Sequence, residues 1–161
     1  RRLRASATVC HVMGAMNGSA SAEIDAPVEA VWEIVQDIEA APEWQRGLDA
    51  MTVLERDAQG RAVQCETTTD TKLKVFTARV RFTYASPSEL RWTQERGDLR
   101  SLDGSWHLED AGGGRTLATY TLAGDPGPLM GRFLKGALEQ KVRGILIEGR
   151  PAELKARVEA G

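Results

Sequence analysis

The chain has 161 residues, 42% of them hydrophobic and 27% charged, with a formal net charge of −2. That length and balance describe one globular domain able to bury a core without metal or disulfides, and interspersed charges of both signs argue against a surface built for nucleic acid. No apolar run approaches the ~18 residues of a membrane span, and Cys10 and Cys65 make no disulfide framework, so a reducing, cytoplasmic compartment is expected.

Residues 1–18 read as a disordered extension ahead of a single domain over 19–161. Arg1, Arg2 and Arg4 lead a stretch of small residues with no acid before Glu23 and no apolar signal segment. A mobile tail is therefore favoured over a transit peptide. Cys10 and His11 are adjacent, but no second pair follows at ligand spacing, and no metal or cofactor is expected.

Ser21 to Ala26 is short enough for an edge strand. Asp25-Ala26-Pro27 then carries a capping residue and a proline suited to a first helical turn. Val28, Val31, Trp32, Val35 and Ile38 recur at three- and four-residue spacings, which predicts an amphipathic helix from Pro27 to about Ile38. Ala40-Ala41-Pro42 interrupts it, and Glu43-Trp44-Gln45 suits a short second turn or helix.

From Ala50 the apolar period changes from 3.6 to 2, and six strands are expected. They run Met51–Arg56, Arg61–Thr68, Lys74–Tyr84, Leu90–Glu95, Leu99–Glu109 and Arg115–Ala123. Hairpin-length connections such as Asp57-Ala-Gln-Gly60 and Arg96-Gly97-Asp98 make the sheet antiparallel and sequential. In the last four strands one parity is apolar, with Phe76, Val80, Phe82, Tyr84, Leu90, Trp92, Trp106 and Tyr120. The other parity is polar, with Arg79, Arg81, Arg91, Glu95, Asp103 and His107. Registers pairing Tyr84 with Leu90, Trp92 with Leu102 and Trp106 with Ala118 keep all the apolar positions on one face, with Val63 and Cys65 joining opposite Ala78 and Phe76.

Leu129 to Glu148 carries a helical stripe of Met130, Phe133, Leu134, Ala137, Leu138, Val142, Ile145 and Leu146, and one continuous helix is expected there. Pro151 should kink or end it near Gly149-Arg150, leaving Leu154 and Val158 on a loosely attached segment.

The spaced pattern Ile24, Ala26-Pro27, Val31-Trp32, Asp37, Pro42 and Trp44, followed by Gly104-Ser-Trp106 and a closing helix, resembles the START-like helix-grip superfamily. The resemblance is to its polyketide cyclase/dehydrase and lipid-transport branch and covers about Ser19 to Glu148. It implies an α+β helix-grip fold, with a curved seven-stranded antiparallel sheet wrapped around a long C-terminal helix and one or two short helices after the first strand. It also implies a hydrophobic pocket between sheet and helix. The inner parity and the helical stripe then place Phe76, Phe82, Trp92, Trp106, Tyr84, Gln94, Tyr120, Met130, Phe133 and Leu134 around a ligand.

Trp32 is expected in the core, and Trp44 as a plug or a rim. Tyr84 and Tyr120 have hydroxyls that need partners when buried, which makes them candidates to orient a ligand or to take part in catalysis. Gln94 is either satisfied by backbone or reads the ligand. Catalysis needs a group in the cavity that exchanges a proton or attacks, and the inner parity supplies no histidine or carboxylate. Family aromatase/cyclases are thought to use polar pocket residues including arginine. No arginine matches on the inner face unless Arg100, near a strand end, turns inward. The expected function is therefore binding or transport of a lipid, quinone or polyketide-like molecule by a monomer or weak homodimer, with a polyketide cyclase/dehydrase as the alternative. An interaction module would need an exposed apolar patch that the charged parity does not offer.

Overall fold

The computed structural model describes residues 16–161; the expected extension over 1–18, with Cys10 and His11, lies outside the described residues as far as residue 15. Asn17 and Gly18 already belong to the first strand, β1 (Asn17–Ile24). The chain continues through α1 (Val28–Gln36) and a 3-10 helix (Ile38–Glu43). Six strands follow: β2 (Leu48–Arg56), β3 (Ala62–Asp70), β4 (Val75–Ala85), β5 (Glu89–Gly97), β6 (Ser101–Gly112) and β7 (Arg115–Asp125). The closing segment is α2 (Gly127–Gly131), α3 (Ala137–Arg143), a π-helical turn (Gly144–Glu148) and α4 (Arg150–Glu159).

All seven strands form one antiparallel sheet in the order β1-β7-β6-β5-β4-β3-β2. Strands β2 to β7 pair with their sequence neighbours, and β1 adds to the free side of β7. The apolar parity faces inward as expected: Val80, Phe82, Leu90, Trp106, Leu108, Tyr120 and Leu122 are all buried. Tyr84 pairs with Leu90 as the sequence predicts. Trp92 instead pairs with Gly104 and Trp106 with Tyr120, each two residues from the expected partner. Cys65 lies opposite Val80 rather than Phe76. A slide by an even number of residues leaves every side chain on its original face, so alternation alone does not distinguish these registers.

The helical segment departs most from expectation. There is no continuous helix from Leu129 to Glu148: α2 ends at Gly131 and α3 begins at Ala137. Gly136, at φ 65° and ψ −131°, adopts a backbone conformation that side-chain-bearing residues avoid. Glycine in a helix interior also costs about 1 kcal/mol relative to alanine, and Gly131 and Gly136 together outweigh the apolar spacing around them.

The expected break at Gly149-Arg150 is present, but the segment beyond it is not loosely attached. The π-helical turn shifts the hydrogen-bond ladder, with Gly149 N donating to Gly144 O at 3.0 Å. α4 then starts afresh with Pro151 in its first turn, where a missing N–H costs nothing. The C-terminal segment is consequently well anchored, and Leu154 is fully buried. Lys155 Nζ donates to Glu23 O at 2.9 Å, Asp25 N donates to the Glu159 carboxylate at 3.0 Å, and Arg157 pairs with Glu43 at 2.7 Å. The helix gripped by the sheet is the run from α3 to α4, displaced towards the C-terminus from the predicted stripe.

Candidate functional site

Between the inner sheet face and the helices lies a partly open cavity with about 120 Å³ available to the centres of water-sized molecules. A single water needs only ~10–15 Å³ on that measure, so this is more than a packing defect. Its walls come from three directions. The sheet contributes Phe76, Phe82, Trp92, Trp106 and Tyr120; α1 and the 3-10 helix contribute Val35, Ile38 and Ala41; the closing segment contributes Leu146 and Arg150.

Local sequence explains how the aromatic wall is built. Gly104 lies directly across from Trp92, and a methyl group on Gly104 would overlap the Trp92 indole. The glycine therefore lets the ring lie down on the β6 backbone. From there Trp92 contacts Phe82 (ring centroids 6.2 Å) and Tyr120 (5.6 Å). Tyr120 meets Trp106 edge-on at 4.9 Å, and Trp106 in turn contacts Trp44 at 6.3 Å. Trp44 thus backs the wall from the 3-10 helix, and its indole Nε1 is buried without a hydrogen-bond partner among the described residues.

Of the residues expected around a ligand, Phe76, Phe82, Trp92, Trp106 and Tyr120 share this cavity. Tyr84, Gln94, Met130, Phe133 and Leu134 are not among its lining. Tyr84 sits at the far end of β4, donating to Ala62 O at 2.5 Å beneath the Arg61 guanidinium, 4.4 Å from the ring centre. Its hydroxyl is already engaged, and burial pushes its pKa up to about 12. Gln94 donates to Leu99 O at 2.8 Å, holding the β5–β6 connection, while its Oε1 is buried without a partner. Phe133 is 75% exposed, because the helical break turns this short segment away from the sheet. Met130 and Leu134 pack against the core's edge. Arg100 stays outside, near Asp125 at 3.6 Å, and the His107 side chain is 47% exposed on the outer face.

The cavity also contains groups that sequence reasoning missed. Met16 lines it from ahead of β1, and Leu48 and Met51 line it from β2, whose register the sequence pattern did not fix. The chemically important omission is Arg150, 3% exposed. Its Nη1 donates to Arg46 O at 2.7 Å and to the Glu153 carboxylate at 3.0 Å. Glu153 in turn accepts from Arg46 N at 2.9 Å. This pair staples the loop before β2 to α4. Arg150 Nε is buried without a hydrogen-bond partner among the described residues. The only signal in the sequence was the Arg150–Glu153 spacing of three, which fits a helical ion pair; placing Pro151 at a helix end concealed it.

Electrostatically the cavity is poor in proton-transfer groups. Among the described residues its lining includes no histidine, aspartate or glutamate. Burial raises the Tyr120 pKa, against the hydrogen bonding and charge of Arg150, which lower it. Cys65, buried on the inner face beside the cavity, is pushed up to about 11 by burial and by the Glu39 charge, with Arg56 opposing. No group of three or more metal-ligating side chains occurs among the described residues, and no helix there is long and apolar enough to cross a membrane.

The chain matches the family described as polyketide cyclase / dehydrase and lipid transport over residues 24–148. No curated protein sequence matches it. Among solved structures it is similar to a START superfamily protein from Mycobacterium smegmatis, at 23% identity and a TM-score of 0.74, covering 90% of this chain and 98% of that one. It is similar to TTHA0849 from Thermus thermophilus, at 21% identity and a TM-score of 0.75, covering 89% and 97% of the two chains. It is also similar to the Zhui aromatase/cyclase from a Streptomyces species, at 15% identity and a TM-score of 0.66, covering 89% and 93%. These likenesses establish the START-type helix-grip fold.

Proposed function

The chain belongs to the polyketide cyclase/dehydrase and lipid-transport family, and from that premise we propose that it binds and carries a hydrophobic small molecule in the cavity between sheet and C-terminal helices. The observation that carries this reading is the partly open cavity walled by Phe76, Phe82, Trp92 and Trp106. Apolar surface brought out of water contributes roughly 25 cal/mol per Å², so a lipid, quinone or polyketide-like ligand gains its affinity from this wall. Release into an aqueous compartment and operation as a monomer or weak homodimer fit a carrier whose outer sheet face is laced with ion pairs such as Arg81–Glu55 and Arg79–Glu66.

A second reading, cyclase/dehydrase activity in the same cavity, draws on one observation: Arg150 and Tyr120 stand together on the wall. Such a pair polarises a carbonyl. Dehydration also requires a group that removes a proton at neutral pH. Tyr120, with its pKa raised by burial, and a guanidinium are poor choices for that step. Carriage is therefore the better-supported function.

Solvent extraction of the natively purified protein, followed by mass spectrometry, tests it. A hydrophobic small molecule should be recovered in stoichiometric amount from the wild type and be missing from Ala78→Phe, in which a ring is placed on a cavity-lining position. Recovery of the same lipid mixture from both proteins would contradict it.

A further inference from the structure

We infer that the cavity selects a ligand bearing one neutral acceptor oxygen, of the ketone type, at the end where Arg150 and Tyr120 meet, with a flat apolar body against Trp92 and Trp106. This rests on the cavity-binding reading above and adds the chemical class of the ligand.

The inference starts from a hydrogen-bond inventory. Arg150 lines the cavity and is 3% exposed, yet Nε has no partner among the described residues. A buried donor left unsatisfied costs about 1–3 kcal/mol, and more when it belongs to a charged group. The staple to Arg46 O and Glu153 uses Nη1 and leaves Nε unused. A merely structural role does not require that second edge. Tyr120 also reaches this point: its hydroxyl interacts with Arg150, and its ring forms part of the wall against Trp92 and Trp106. The unpartnered Arg150 Nε therefore offers one donor to a ligand oxygen, and Tyr120, lining the same cavity, carries a hydroxyl able to supply a second.

Charge decides between a ketone and an acid. Glu153, 3.0 Å from Arg150 Nη1 and 19% exposed at its side chain, already balances the guanidinium. A ligand carboxylate would leave one uncompensated negative charge in a largely apolar cavity, and such a charge is expensive to desolvate. A neutral oxygen takes the free hydrogen bond without that cost.

Equilibrium dialysis of the full chain against fluorene, 9-fluorenone and fluorene-9-carboxylate tests this. All three share a flat body and differ only in the oxygen. Fluorenone should bind at least about tenfold more tightly than fluorene, the effect of one hydrogen bond to a charged donor, and more tightly than the carboxylate. Arg150→Met combined with Glu153→Gln keeps the local charge balanced and should abolish the preference for fluorenone over fluorene. Arg150→Lys, which keeps the charge facing Glu153 but not the planar fork, should weaken the preference and serves as the test if the double variant does not fold. Equal affinity for fluorene and fluorenone, a preference for the carboxylate, or a preference that survives both substitutions would overturn the assignment to Arg150 while leaving cavity binding intact. Failure of all three compounds to bind would overturn the cavity reading itself.

Discussion

Gly104 shows how one residue shapes the site. Its missing side chain is the seat of the Trp92 indole, so Gly104→Ala must push that ring off the β6 backbone and into the cavity. Overpacking of this kind costs about 1–3 kcal/mol, and the midpoint of urea unfolding should fall accordingly; an unchanged midpoint would show that the indole relocates freely. Cys65 offers a second test at this scale. Burial holds its thiol up at about 11 against a reference of 9.0, so the folded state retains a proton that the unfolded chain loses. The resulting stability is intact below pH ~9 and is lost as pH rises from there through the folded value. At pH 8 the thiolate is about a hundredfold scarcer than in the unfolded chain. Iodoacetamide should therefore label Cys65 at least about a hundredfold more slowly in the native protein than in urea, with peptide mapping to separate it from Cys10.

These residues also mark what sequence could and could not convey. The glycine in Gly104-Ser-Trp106 stood in the pattern that suggested the family, but its purpose depends on a cross-strand register that alternation leaves uncertain by two residues. Gln94 looked out of place on an apolar face, and the structure gives it a backbone partner at Leu99. Arg150 was unreadable as a cavity group because its position depends on a π-helical turn that no local propensity announces.

At the scale of elements, the closing helices carry the largest revision. Apolar spacing located a stripe correctly in kind, but Gly131 and Gly136 divide it, and the buried anchor lies further along, at Ile147 and Leu154. A paired substitution tests this placement. Leu154→Ala should cost about 2–5 kcal/mol, as for other large-to-small changes at fully buried positions. Phe133→Ser, at a position 75% exposed, should stay within about 0.5 kcal/mol of wild type. The opposite order in thermal or urea unfolding would place the anchor on the segment around Phe133. The strands were more legible than the helices because their period of two repeats across five successive hairpins, and each hairpin reinforces the same choice of inner face.

Taken whole, the molecule is a sheet whose inner aromatic face is only partly covered. α1 and the 3-10 helix close one side, α3 to α4 close another, and Arg150 and Glu153 tie the loop before β2 to α4. The room left between them is lined from every layer, and for that reason its membership could be inferred only in part from strand parity. Its capacity to accept a hydrophobic ligand is the claim on which the functional reading depends. Tryptophan fluorescence of the chain titrated with fluorene measures it directly, since Trp92 and Trp106 both face the cavity. A saturable one-to-one change in the wild type, absent from an Ala78→Phe protein that melts at the same temperature, is the expected result; no saturation, or an identical curve from the filled variant, would contradict it.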